Sequence, residues 1–269
     1  MDDPDQTPAN GLFSLHGKTA LVTGGARGVG EMCARSLLEH GARVIISSRR
    51  EDRSAETVGR LAELGRCEAI VADLSSPDGV TVLVEELEAR TDALDILVNN
   101  AGTTWGAPFE DYPSSAWDKV LRLNVTAPFE VIRALIPLLK AGASADDPAR
   151  VVNLGSIDGH AVGRFDNFAY PPSKAALDQL TRMMAVRLAR HDITVNTLAL
   201  APILTEMTST LIERNEDIAT KNPMGRLAQP TDVAGSLVYL TARSGSYVTG
   251  VTLPVDGGAS ITTWGGDDR

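Results

Sequence analysis

The sequence predicts an α/β fold, a single doubly wound parallel sheet of about seven strands flanked by helices. Short apolar runs alternate with longer amphipathic stretches from Lys18 almost to the end, the order that parallel βαβ units produce. Runs such as Leu97-Val98 and Val151-Val152 are apolar without alternation, as strands covered on both faces must be. A glycine-rich turn separates the first strand from the first helix, which makes the expected arrangement Rossmann-type.

The elements follow in order. Thr19–Thr23 reads as a strand and Gly28–His40 as a helix. Arg43–Ser48 is the second strand, and polar Asp52–Leu64 has helical character. Glu68–Ala72 is a third strand, and Pro77–Arg90 a helix with Val80, Val84 and Leu87 on one face. Ile96–Asn99 is the fourth strand. Trp117–Asn124 and Pro128–Lys140 suggest one long helix. Val151–Leu154, helix Ser173–Arg190, Thr194–Ala199, helix Thr231–Ala242 and strand Thr252–Val255 complete the set. Gly142–Pro148 reads as a surface loop.

The chain has 269 residues, 43% hydrophobic and 22% charged, which excludes a disordered or fibrous protein. Its net charge is −10 and only 4% of residues are aromatic. Both argue against nucleic-acid binding, which needs excess cations and stacking rings. Residues 1–14 read as an acidic, disordered tail, and 15–269 as one domain. The first ten residues carry Asp2, Asp3 and Asp5 but no Lys or Arg, unlike a secretory signal. No apolar run approaches the ~18 residues of a membrane helix. Cys33 and Cys67 lack metal or redox spacing and are expected to be reduced thiols. A cytoplasmic protein that binds no membrane is expected.

The turn Thr23-Gly24-Gly25-Ala26-Arg27-Gly28-Val29-Gly30 has the composition of a phosphate cradle. Gly24, Gly28 and Gly30 would let a pyrophosphate approach backbone N–H groups, beside Arg27 and Val29, at a helix N-terminus. An acid after the second strand would bind the ribose hydroxyls of NAD. Here Ser47-Ser48-Arg49-Arg50 stands instead. Ser48, Arg49 and Arg50 suit a phosphate dianion, so the expected cofactor is NADP(H).

Tyr170 and Lys174 stand four apart at a helix start, on one face. Pro171 and Pro172 fit a first turn. An ammonium near a phenol favours the phenolate, making the tyrosine an acid or base near neutrality. With Asn99-Asn100-Ala101-Gly102, Asn124-Val125, Ser156 and Asp256-Gly257-Gly258, the chain resembles the short-chain dehydrogenase/reductase family from Leu15 to about Ile261. It is further similar to NADPH-dependent β-ketoacyl reductases associated with rhamnolipid synthesis, in Glu68–Ser76, Leu94–Trp105, Arg150–Ser156 and Pro223–Arg226.

The resemblance implies roles. Tyr170 would exchange a proton with the substrate oxygen, and Ser156 would hydrogen-bond that oxygen. Lys174 would lower the Tyr170 pKa and bind the nicotinamide ribose. Asn124 would hold a water that relays protons to Lys174. Asp73 would meet the adenine amino group, with Leu74 beside the ring. Asn100, Ala101 and Gly102 would pack along the cofactor. Ile203 and Thr205 match positions that clamp the carboxamide. The family's Pro-Gly after the sixth strand is replaced by Leu200-Ala201, which restricts the turn, since alanine tolerates positive φ poorly, and bears on the geometry of that clamp. The resemblance also implies a homotetramer, with a four-helix interface formed by the helices around Trp117–Lys140 and Ser173–Arg190.

Ser156, Asp158 and His160 do not make a hydrolase site, because Leu154 stands where a nucleophile elbow needs glycine. The Asn124-Val125-Thr126 glycosylation pattern has no secretory context. The four histidines are scattered, so no metal is expected. The reading is an NADP(H)-dependent oxidoreductase interconverting a ketone and a secondary alcohol, with a β-ketoacyl thioester or similar apolar ketone as substrate. The alternatives are a dehydrogenase of a sugar, steroid or secondary-metabolite alcohol, or a non-catalytic NADP(H)-binding regulator. A substrate lid is expected near 202–226, with apolar Met207, Leu211 and Ile212. Ile157, Asp158, Val162, Phe168 and Met207 are the candidate pocket residues.

Overall fold

In the computed structural model, which describes residues 11–163, 165–205, 208–209 and 218–262, β1 (Thr19–Thr23) sits mid-sheet. It pairs in parallel with β2 (Arg43–Ser48) on one side and β4 (Ile96–Asn99) on the other. Outside β2 lies β3 (Cys67–Val71). Beyond β4 come β5 (Ala149–Ser156), β6 (Ile193–Leu200) and β7 (Thr252–Val255), all parallel. The order β3-β2-β1-β4-β5-β6-β7 reverses direction between β1 and β4. That opens a crevice at the carboxyl ends of the strands.

The helices are α1 (Gly28–Glu39), α2 (Glu51–Leu61), α3 (Pro77–Glu88), α4 (Ser114–Leu121), α5 (Ala127–Ala141), α6 (Tyr170–Leu188), α7 (Ile218–Lys221) and α8 (Pro230–Thr241). Successive strand residues face opposite ways. Val22, Val44, Val98, Val152 and Leu198 meet Leu37 of α1 and Leu237 of α8. Leu21, Ile45, Leu97, Val151 and Val195 meet Leu83 of α3, Leu135 of α5 and Leu188 of α6. Both faces are covered, which is why the strands read as unbroken apolar runs.

Most boundaries shift by one to three residues, and three differences stand out. The single long helix is α4 and α5 joined by a π-helical turn, Arg122–Thr126. α6 starts at Tyr170 rather than Ser173, since Pro171 and Pro172 occupy a first turn whose N–H groups need no helical partner. β5 and β6 each run to eight residues. Residues 11–14 are not a loose tail: the Leu12 carbonyl accepts from Ser244 N at 3.0 Å, and buried Leu15 donates to the His40 carbonyl at 2.9 Å. Residues 1–10 lie outside the described residues.

A buried polar chain ties α6 to the sheet. Asn99 Nδ2 donates to Asn153 Oδ1 (2.9 Å), and Asn153 Nδ2 to Thr181 Oγ1 (2.8 Å), which lies 2.9 Å from Thr197 Oγ1. Such satisfied buried bonds fix one arrangement and here set the height of Tyr170 and Lys174 over the sheet. Both cysteines are free and buried. Burial pushes the Cys33 thiol up to about 12 and the Cys67 thiol up to about 11, so neither is a ready nucleophile.

Candidate active site

A cleft of about 490 Å³ lies at the carboxyl ends of the strands. One end is the glycine turn. Gly24 takes φ +64, and a Cβ there would lie 2.9 Å from Asn100 Nδ2 and 3.0 Å from Ala101 Cα. Asn100 closes this contact by donating through Nδ2 to the Thr23 (2.9 Å) and Gly24 (3.0 Å) carbonyls. Gly28, at φ +54, faces Thr205 across the cleft, and a Cβ there would come within 3.5 Å of that side chain. The turn is thus a cradle that side chains would fill, under the N-terminus of α1, and it fits a pyrophosphate. Val29, Ala101, Gly102 and Leu74 line the same cleft, while Gly30 packs behind it against the Gly24 carbonyl.

Ser48, Arg27, Arg49 and Arg50 all reach this end of the cleft. Arg50 is already engaged: Nε and Nη2 hold the Asp52 carboxylate at 3.1 and 2.5 Å. That pairing holds the Asp52 carboxyl at about 2. Arg53, one turn into α2, lines the cleft too and was missed. The Arg49/Arg50/Arg53 spacing at a helix start was its visible signal. Asp73 also lines the cleft. Burial pushes its carboxyl up, but hydrogen bonds from Ser75 and the Arg49 charge outweigh this and hold it below the usual carboxylate range.

At the other end, Ser156, Tyr170 and Lys174 share the wall. Ser156 closes β5, and Tyr170 and Lys174 stand on the first turns of α6. Burial and the Asp158 carboxylate push the Tyr170 phenol up to about 12, opposed by a hydrogen bond from Ser156. The sequence reading had Lys174 lowering it. The geometry explains the difference: Lys174 Nζ donates to the Leu154 carbonyl at 2.7 Å and sits 5.5 Å from the Tyr170 ring centre. Burial lowers Lys174 to about 8, opposed by Asp178 and Asp158. Behind it, Asp178 is buried and lies 3.2 Å from His160 Nε2.

Asn124 is a clasp rather than a wall residue. In the π-helical turn, its Oδ1 accepts from Thr103 N (2.8 Å), and its Nδ2 reaches the Thr103 carbonyl (2.9 Å) and Ser173 Oγ (3.0 Å). The side chain braces the segment after β4 against α6, a geometry that π-turns favour at functional sites.

The pocket expectations divide. Asp158 lines the cleft, as do Thr104, Phe165 and Asn167, which were missed. Ile157 is buried with Ala201 and Ala259 instead. Val162 is exposed. Phe168 turns away into an aromatic cluster, 5.2 Å from Tyr112 and 5.3 Å from Phe109 between ring centres. Met207, Leu211 and Ile212 lie outside the described residues. Leu200-Ala201 causes no strain: among the described residues only Asp192 has positive φ apart from glycines. Ala201 N continues the sheet to the Val255 carbonyl at 3.1 Å. Ile203 and Thr205 line the cleft. The described ends of segment 202–226, the expected lid, are tethered, by Thr208 at Ile203 and by Asn222 Nδ2 on the Asp256 carbonyl (2.7 Å). No group of three His, Cys, Asp or Glu poised for a metal occurs among the described residues.

A phosphate cradle at one end of a cleft and a serine–tyrosine–lysine group at the other define a dinucleotide-dependent oxidoreductase. Residues 24–260 match the family model described as enoyl-(acyl carrier protein) reductase, and the chain belongs to the short-chain dehydrogenase/reductase family. It is 47% identical over 249 residues to a Pseudomonas aeruginosa protein named rhamnolipids biosynthesis 3-oxoacyl-[acyl-carrier-protein] reductase, covering 91% of this chain and 97% of that one. It is 35% identical over 260 residues to the 5-keto-D-gluconate 5-reductase of Escherichia coli, covering 94% and 99%. The solved Pseudomonas aeruginosa RhlG/NADP active-site complex superposes with a TM-score of 0.90 at 46% identity, covering 93% of this chain and 99% of that one.

Proposed function

We propose that this chain interconverts a ketone and a secondary alcohol with NADP(H). The observation that carries the reading is one cleft joining Ser156, Tyr170 and Lys174 to a cradle rimmed by Arg27, Ser48, Arg49 and Arg53. NADPH, when bound, supplies the hydride that adds to the carbonyl carbon. The Tyr170 hydroxyl gives the carbonyl oxygen its proton. Ser156 donates a hydrogen bond to that oxygen as negative charge builds on it. The Lys174 ammonium, held by the Leu154 carbonyl, keeps positive charge near the developing anion. Hydride plus proton completes the alcohol, and the reverse path returns the proton to Tyr170.

The 2′-phosphate of NADP(H) would meet Arg49 and Ser48. A hydrogen-bonded charge of this kind is worth about 1.5–3 kcal/mol, or roughly a 10–100-fold change in affinity. Arg49→Ala is therefore expected to weaken NADPH binding by that factor, measured by calorimetry, while NADH changes by less than about threefold. Equal losses for the two cofactors would show that Arg49 does not read the phosphate.

For the substrate, the name of the 47%-identical relative supports a β-ketoacyl thioester. A hydroxylated ketone is the second reading, favoured by Asp158 on the cleft wall. A homotetramer is proposed as well. It is supported by exposed apolar residues on the expected interface helices: Trp117 on α4, Phe129 on α5, and Met183 and Val186 on α6. No described helix is long and apolar enough to cross a membrane, and a cytoplasmic location is proposed.

A further inference from the structure

Asp158 has no part in the reaction as just written, yet it stands at the reacting end of the cleft. It follows Ser156 by two residues, and its N–H donates to Ser156 Oγ at 3.2 Å. Its carboxylate lines the cleft. No salt bridge to it forms among the described residues: the Lys174 charge acts on it, but Lys174 spends its Nζ on the Leu154 carbonyl. Its Oδ1 lies against Gly163, where an added Cβ would come within 3.3 Å.

Burial pushes the Asp158 carboxyl up, opposed by a hydrogen bond from Ser156 and the charge of Lys174, and in its ionised form it works against carbonyl reduction. Negative charge builds on an oxygen held by Ser156 and Tyr170, and a neighbouring anion repels it. Ser156 also has only one hydroxyl proton to give, and the Asp158 carboxylate competes for it, as their mutual hydrogen bond shows. Both conflicts ease when a hydrogen-bond donor on the substrate occupies the carboxylate. Burial strengthens whatever bond it then accepts. The opposite requirement appears on the same cleft: Thr104 Oγ1 is buried without a partner. A carboxylate that keeps acceptor capacity beside its bond to Ser156, sharing the cleft with a hydroxyl without a partner, suits a ligand that carries a hydroxyl group.

Resting on the ketone-reductase reading, we propose that Asp158 is the specificity-determining residue. It accepts a hydrogen bond from a hydroxyl on the carbon next to the carbonyl, so the substrate class is hydroxyketones. Sites that hydrogen-bond a substrate hydroxyl reject analogues lacking it far more strongly than apolar pockets reject an extra methylene.

The test compares 3-hydroxy-2-butanone with 2-butanone, which differ by that one hydroxyl, as NADPH-dependent substrates. The wild type is expected to favour the hydroxyketone by about 100-fold or more in kcat/KM. Asp158→Leu brings the ratio near one, and Asp158→Asn, whose amide oxygen still accepts, falls between. A second arm needs no turnover: calorimetric binding of 2,3-butanediol and 2-butanol to the NADPH-loaded protein, pairs that cannot react. The diol is expected to lose at least about tenfold in affinity with Asp158→Leu while 2-butanol does not, and NADPH affinity reports that the variant is folded. An unchanged substrate ratio and unchanged diol binding in Asp158→Leu overturn the proposal and leave ketone reduction standing. A wild type that binds NADPH but reduces no ketone overturns the function instead, and the diol arm then decides the role of Asp158 alone.

Discussion

Tyr170→Phe is expected to lower kcat for ketone reduction by at least about 100-fold, the scale of a lost general acid, while NADPH affinity stays within about twofold. The ring stays, so packing and the contact with Lys174 Nζ are kept, and only the proton carrier goes. With the phenol at about 12 and Lys174 at about 8, the sign of the pH dependence follows. The phenol holds its proton throughout the neutral range, ready to give it to a carbonyl oxygen. The ammonium loses its charge as pH rises through about 8, so wild-type reduction is expected to fall above that point. Alcohol oxidation needs the phenolate and is expected to rise with pH, a rise that the phenylalanine variant loses. A variant that keeps wild-type kcat would remove Tyr170 from the chemistry.

The second large effect is structural. Gly79, in the first turn of α3, packs onto Asp73: a Cβ there would fall inside the Asp73 carbonyl group, 2.5 Å from its carbon. The contact is locked from both sides. Ser76 Oγ accepts from Gly79 N at 3.2 Å and donates to the Asp73 carbonyl at 3.3 Å. Because the clash is with backbone, Gly79→Ala must move α3 or the Asp73-Leu74 segment that lines the cleft. Overpacking of this kind costs about 2 kcal/mol or more, which for a chain of this length lowers Tm by roughly 5 °C. Weaker NADPH binding is expected to accompany the drop. An unchanged Tm would mean that α3 and Asp73 are not rigidly coupled.

Much of this was legible in the residues because it rests on local or periodic rules. Apolar runs such as Leu97-Val98 mark buried strands wherever the chain places them. The glycine turn is fixed by its neighbours, Gly24 against Asn100. The four-residue spacing of Tyr170 and Lys174 places both on one face of α6. What was not legible depends on partners far along the chain. The clasp of Asn124 on Thr103 and Ser173 requires the π-helical turn, which no pattern announces. Phe168 packs against Tyr112 and Phe109 while Val162 is exposed, so composition could not say which side chain turns inward. Arg50 lines the cleft and also pairs with its neighbour Asp52, a competition that counting cations ignores. The same dependence on partners elsewhere in the chain hides how far burial and Asp158, opposed by Ser156, set the Tyr170 phenol.

The central claim is direct hydride transfer within this cleft, and isotope tracing tests it most directly. The protein is incubated with NADPH carrying deuterium at the transferable position of nicotinamide C4, with 3-hydroxy-2-butanone or a β-ketoacyl thioester as acceptor. The account requires one deuterium on the new carbinol carbon of the alcohol for each NADPH oxidised, delivered at least about 100-fold more slowly by Tyr170→Phe. NADPH that binds tightly yet delivers no deuterium to any ketone would contradict it.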